Sequence, residues 1–123
     1  MDKLEYIPGD LCIVKGKVES VCEVDRDNDF SITTDQHPFI RLSEVKPIPL
    51  TPEILEKNGW KKDGKWYYLK TRRAYLYTIQ DAGQPDEFLI CANTDKHNLT
   101  SVSFVHQLQH LLFGLGLNSE MEV

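Results

Sequence analysis

The chain contains no run of about 18 apolar residues, so no segment of it is expected to cross a bilayer as a helix. Its opening stretch, MDKLEYIPGD, lacks the apolar core of a secretory leader, and the expectation is a cytoplasmic protein with no membrane partner. Cysteine is scarce: Cys12, Cys22 and Cys91 are odd in number and form no CxxC pair, which argues against a disulfide framework or a zinc knuckle. Reduced thiols on buried strand faces are expected instead. The sequence also has no Gly-rich phosphate loop, no paired carboxylates in a hydrophobic frame, and no Ser/His/Asp or Cys/His grouping. No enzyme class and no cofactor are therefore indicated. No internal repeat or low-complexity tract is visible.

What is present is a globular composition, 41% hydrophobic and 27% charged, in 123 residues. That length suits one ordinary domain or two very small ones. The net charge of −5 conceals a segregation. Residues 1 to 50 carry six Lys/Arg against ten Asp/Glu, net −4, and residues 74 to 123 carry Lys96 against six acids, net −5. Residues 56 to 73 hold seven basic residues against Glu56 and Asp63, net +5. The chain is acidic with one basic band.

The first fifty residues alternate short β-prone runs with turn residues: Leu11 to Val14, Val18 to Val24, Phe30 to Thr33 and Phe39 to Leu42. Strands this short and closely spaced usually roll into a small barrel of the SH3-like kind. Pro47 and Pro49 cannot continue a sheet ladder, so the boundary falls there, as an ordered joint with Ile48 and Leu50 pinned. Thr51-Pro52-Glu53 then gives a cap, a first-turn proline and an acid, and Asn58-Gly59 a stop, which predicts a helix over 52–58 closed by Trp60. Asp63-Gly64 predicts a hairpin whose two turn positions both need φ > 0. Further strands are expected at Ala74 to Gln80 and Glu87 to Asn93, after which Thr94 to Asn98 turns the chain into a long helix capped by Ser101 or Ser103. On that helix Phe104, Leu108, Leu111, Leu112 and Leu115 form the apolar stripe, Gln107, Gln109 and His110 take the edges and back, and Gly114 and Gly116 end it before a fraying SEMEV tail.

The stretch LTPEILEKNGWKKDGKWYYL, followed some thirty residues later by VHQLQHLLFGL, resembles a group of small uncharacterised proteins encoded by phages and mobile elements of Bacteroidota. They share a Pro-Leu-Thr-x-Glu helix, an aromatic hairpin and a terminal V-H-x-L-Q-x-L helix behind a short β-rich segment. The resemblance spans about residues 47 to 117. It implies a genomic setting, and hence the cytoplasm of a host bacterium, but no activity and no site residues.

Three constellations invite chemistry. His106-Gln107-Leu108-Gln109-His110 spaces two histidines one turn apart, as in H-E-x-x-H, but Gln107 cannot accept a proton where the protease pattern needs a carboxylate. A metal site completed by His97 or Asp95 competes with the plainer reading of histidines bonded at the edge of a packed helix. Asp25, Asp27 and Asp29 share calcium-loop spacing, yet Phe30 and Gln36 stand where that loop needs glycine and a bidentate glutamate, so a solvated turn is expected. The basic aromatic band offers Lys61, Lys62, Lys65, Arg72 and Arg73 to phosphates and Trp66 to a base. Against this, the acidic remainder of the chain repels a polyanion, and the aromatics are expected to be core beneath the last helix.

The expectation is an α+β protein: a barrel-like unit, residues 1–48, then an α+β unit, residues 49–123, of a short helix, an antiparallel sheet and a C-terminal helix packed on it. The favoured function is a non-enzymatic protein-binding or adaptor module of a phage or mobile element, its partner a host or virion protein. A nucleic-acid-binding accessory protein using the basic hairpin comes second, and a small hydrolase third.

Overall fold

The computed structural model describes residues 6–25, 31–71, 75–80, 87–92 and 97–123, with Leu42 and residues 97–99 described through their backbone. The chain is α+β and divides into two compact units, Met1–Ile48 and Pro49–Val123. Among the described residues no helix is long and apolar enough to cross a membrane.

The first unit is a five-stranded antiparallel sheet in the order β4-β3-β2-β1-β5. Its strands are β1 (Leu11–Val14), β2 (Lys17–Asp25), β3 (Ser31–Thr34), β4 (Ile40–Arg41) and β5 (Val45–Lys46), with a 3₁₀ turn at Leu42–Glu44 before the last. Lys15 and Gly16, both at positive φ, close the β1–β2 hairpin as a two-residue turn that matches the strand twist. Period-two alternation then sends Cys12, Val14, Val21, Ile32, Ile40 and Val45 inward with Tyr6. Cys22 does not join them. The β2–β3 register shifts between Val21 and Glu23, and the extra residue turns the Cys22 thiol to solvent, correcting the expectation of three buried cysteines. The pairing of β1 with both β2 and β5 brings the ends of this sheet's chain together, but no β4–β5 pairing closes a ring among the described residues.

The second unit opens with α1 (Pro52–Lys57), where Thr51 Oγ1 accepts from Ile54 N at 3.3 Å. Gly59, at φ +90, ends it: Gly59 N donates to Glu56 O and Trp60 N to Leu55 O, and Leu55 and Trp60 are both buried. The sheet follows in the order β10-β9-β8-β7-β6, with β6 (Lys61–Asp63), β7 (Trp66–Lys70), β8 (Tyr75–Gln80), β9 (Phe88–Ala92) and β10 (His97–Val102). The β6–β7 turn is shifted from the expected one by a residue. Asp63 pairs with Trp66, so Gly64 and Lys65 are the turn, and Gly64 alone needs positive φ, the pattern of a type II′ hairpin.

β10 is a strand where a connecting turn was expected, because Asn98-Leu99-Thr100 carries a bulge that hides its alternation. The final helix, α2, is therefore shorter than predicted, Val105–Gly114, and Gln107 caps it by accepting from Ser103 N at 2.7 Å and Phe104 N at 3.1 Å in place of a serine. Its buried face is Val105, Leu108, Gln109 and Leu112, with His106 beside it. Leu111 and Leu115 are only half-buried. The stripe is rotated because Gln109, expected at the edge, turns inward to donate to Ser119 O at 3.1 Å. Gly116 ends α2 at φ +73, with Leu117 N donating to Leu112 O. The SEMEV segment is held, contrary to expectation: the Asn58 side chain donates to Glu122 O at 2.7 Å and accepts from Glu122 N at 2.8 Å, a strand-like pair made by an amide.

The segment joining the units is fastened on the second side by Leu50 N donating to Ser103 O at 2.9 Å and by a bridge between Pro49 and Phe104. Ile48 and Leu50 are both buried.

Candidate functional site

The register of the second sheet sorts its side chains onto two faces. Leu76, Thr78, Phe88, Ile90 and Val102 fall on one face, and all five are buried. Helices α1 and α2 bury Leu55, Leu108 and Leu112 in the same unit.

The other face is aromatic. Pairing places Trp66 opposite Ile79, Tyr68 opposite Tyr77 and Lys70 opposite Tyr75, all on the side away from Leu76 and Thr78. Lys61, opposite Tyr68, and Asp63, opposite Trp66, extend it across β6. Tyr75 is 39% exposed and Trp66, Tyr68 and Tyr77 are half-buried, while Cys91, opposite Tyr77 on the same face, is 1% exposed. Trp66 meets Tyr77 edge to face at 6.5 Å and 87°, and Tyr68, Tyr75 and Tyr77 lie mutually tilted at 6.3 to 6.4 Å. Such pairs are each worth about 0.5–1.5 kcal/mol beyond their buried area, which holds the four rings as one rigid cluster. This corrects the expectation that the aromatics are core under α2. The alternation Tyr75, Tyr77, Ile79 reads as the more apolar set of β8, so a sequence reading turns it inward; the buried set is Leu76 and Thr78.

Of the six residues singled out from sequence, four lie among the described residues. Lys61 and Trp66 share the aromatic face, Lys62 pairs with Tyr67 and projects to the opposite side, Lys65 sits in the turn, and Arg72 and Arg73 lie outside the described residues. Strand alternation divides the basic band, and Lys70, not among the six, joins the rings.

Of the metal candidates, Asp25 ends β2 exposed, and Asp27, Asp29 and Asp95 lie outside the described residues. Among the described residues no group of three His, Cys, Asp or Glu could hold a metal ion. His106 is buried on α2, stacked on Phe104 at 6.0 Å and edge-on to His110 at 5.6 Å. Burial, and then the neighbouring His110, lowers its pKa from 6.5 to about 4, so its imidazole is neutral at physiological pH.

The first unit contains a polar cluster that sequence reading did not single out. Glu19 points into the unit with its side chain shielded from solvent. Thr34 Oγ1 donates to Glu19 Oε1, and His37 Nδ1 lies 2.9 Å from Oε1 and 2.8 Å from Oε2. An ionised carboxylate only accepts, so Nδ1 carries the proton. Burial pushes the Glu19 carboxyl up, but the Thr34 and His37 hydrogen bonds and the His37 charge outweigh it, and the net shift is downward. Thr34 also closes its own turn, with Thr34 N donating to His37 O at 2.8 Å and His37 N to Thr34 Oγ1 at 3.0 Å. The result is a pinned loop, residues 35–39, that ends in Phe39, 75% exposed and at φ +51. The only sequence signal for Glu19 was an acid at an inward position of a strand. Nearby, burial followed by the charges of Glu19 and Asp10 pushes the Cys12 thiol up to about 11, which leaves it unreactive.

Comparison with protein-family models, with characterised proteins and with solved structures returned no match for this chain.

Proposed function

We propose that the chain is a non-enzymatic protein-binding module, of the phage or mobile-element setting that the sequence resemblance implies, and that the aromatic face of the second sheet is its contact surface. The observation that carries this is the placement of Trp66, Tyr68, Tyr75 and Tyr77 on the side of the sheet away from the buried Leu76 and Thr78. Tyrosine and tryptophan offer large contact area at little conformational entropy, and each keeps a polar group for the partner, which is why they dominate binding hot spots. A rigid four-ring cluster is preorganised for that role. The first unit, in this reading, is a small SH3-like barrel that adds a second surface. A host or virion protein is the favoured partner.

Affinity capture from a bacterial host lysate tests this against a variant, Tyr75→Ser, changed at the most exposed ring. A protein retained by the native chain at about 0.5 M salt, and lost with the variant, supports the reading, since screening at that salt removes contacts that are only ionic. Nuclease-sensitive retention that disappears with salt would refute it and favour single-stranded nucleic acid, the second reading. The support for that alternative is narrow: Lys61 and Lys70 flank Tyr68 and Tyr75 on the same face, as phosphate contacts beside stacked bases would.

A further inference from the structure

We infer that the aromatic face receives the 35–39 loop of a second copy of this chain, so that copies join head to tail. This rests on reading that face as a protein-contact surface. Three observations point to this occupant. Phe39 holds φ +51, where a bulky L-residue is strained and asparagine or glycine would sit at ease, and its ring is 75% exposed, so it contributes little to the core of its own unit. A strained, solvent-facing aromatic serves something outside the chain. The loop that carries it is preorganised: Glu19, Thr34 and His37 pin its base, and Asp35 N donates to Ser20 O at 3.0 Å while Asp35 Oδ1 accepts from Ser20 N at 3.0 Å.

Charge supplies the third observation. The loop sits in a segment, residues 1 to 50, of net −4, and Asp35 is exposed beside Phe39's turn. The aromatic face lies within the band of net +5, with exposed Lys61 and Lys70 next to its rings. Phe39 would seat edge-on against Tyr75, the most exposed ring, with Asp35 meeting a lysine of the rim. The inserting loop belongs to the first unit and the receiving face to the second. Two copies joined by one such contact keep one loop and one face between them, which either engage each other and close a dimer or take up further copies.

Sedimentation of the full chain from about 1 µM to about 0.5 mM, the range in which weak contacts saturate, tests this. The weight-average mass is expected to rise above the monomer, to a dimer or beyond, and to fall back as salt is added. Phe39→Ala should weaken association about tenfold or more, and so should the double reversal Lys61→Glu with Lys70→Glu, which alters exposed side chains only. The decisive sample is an equimolar mixture of these two variants. Each retains one intact surface, so the mixture should form a dimer and stop there. A native chain that stays monomeric throughout, or a mixture that associates no better than its components, would overturn the head-to-tail contact. If such a monomeric chain still captures a lysate protein through Tyr75, the wider reading of the aromatic face stands and only this partner is wrong.

Discussion

Replacing Glu19 by glutamine keeps the shape of the buried cluster and removes its charge. The native carboxylate accepts from Thr34 Oγ1 and from His37 Nδ1 in a site shielded from water. Glutamine can still accept from Thr34 through its single carbonyl oxygen, but its amide then faces a donor at His37, so one charge-assisted bond is lost and a buried donor is left poorly matched. Hydrogen bonds to charged groups contribute about 1.5–3 kcal/mol, and some of that returns because a neutral amide is cheaper to bury. A net loss of about 1–2 kcal/mol follows at neutral pH, which for a unit this small is a Tm decrease of several degrees. The dependence on pH is more diagnostic than the size. The folded pKa of Glu19 is lowered below its ordinary 4.5, so the stabilisation it provides is complete above about pH 4.5 and is lost as pH falls through the folded value. The gap in stability between the native chain and Glu19→Gln should therefore shrink as pH falls below about 4.5. Both tryptophans lie in the second unit, so far-UV circular dichroism or amide exchange over residues 31–46, and not tryptophan emission, is the assay. A variant within about half a kcal/mol of the native chain at pH 7, or a gap that does not change with acid, would show that Glu19 is not held as a carboxylate by Thr34 and His37.

Three further outcomes are expected. Leu108→Ala should cost about 2–5 kcal/mol in a denaturant titration followed by tryptophan emission, and Leu111→Ala distinctly less, because Leu108 is buried and Leu111 half-buried; equal losses would restore the unrotated stripe. His106 is neutral in the fold down to about pH 4, so stability should be full above about 6.5 and fall as acid protonates the unfolded chain, by about 2–3 kcal/mol at pH 4. His106→Gln should lack that step, and a variant with the native slope would assign it elsewhere. Phe39→Asn should raise stability by about 0.5–1 kcal/mol by relieving left-handed strain at an exposed site, whereas a lower Tm would mean that the ring is packed.

Local signals with one physical cause were legible. Thr51, Pro52 and Gly59 bound α1 as their chemistry requires, and Gly116 ends α2. The errors arise where a local pattern serves two structures. Asn98-Leu99-Thr100 reads as a turn because a bulge breaks its alternation and hides β10, and the other bulge turns Cys22 out of the buried face that its strand position predicts. Gln109 looks like a surface residue until Ser119 is brought back beside it, which no spacing within the helix reveals. For the candidate surface, composition shows a band but not its geometry. The lysines and rings of residues 60 to 77 form one band in sequence, but a strand sends neighbours to opposite faces, so Lys62 parts from Lys61 and Tyr67 from Trp66. Alternation alone does not say which set turns inward, and on β8 it is Leu76 and Thr78 and not the tyrosines.

Whether the four rings stand open is the claim on which the binding reading depends, and hydroxyl-radical footprinting of the dilute chain, read residue by residue by mass spectrometry, tests it most directly. Tyr75 should be modified fastest and Trp66, Tyr68 and Tyr77 at intermediate rates, with Trp60 and Phe88, at 3% and 1% exposure, protected until the unit unfolds. Protection of Tyr75 and Trp66 to the level of Trp60 would place the rings in the core and contradict the open aromatic face.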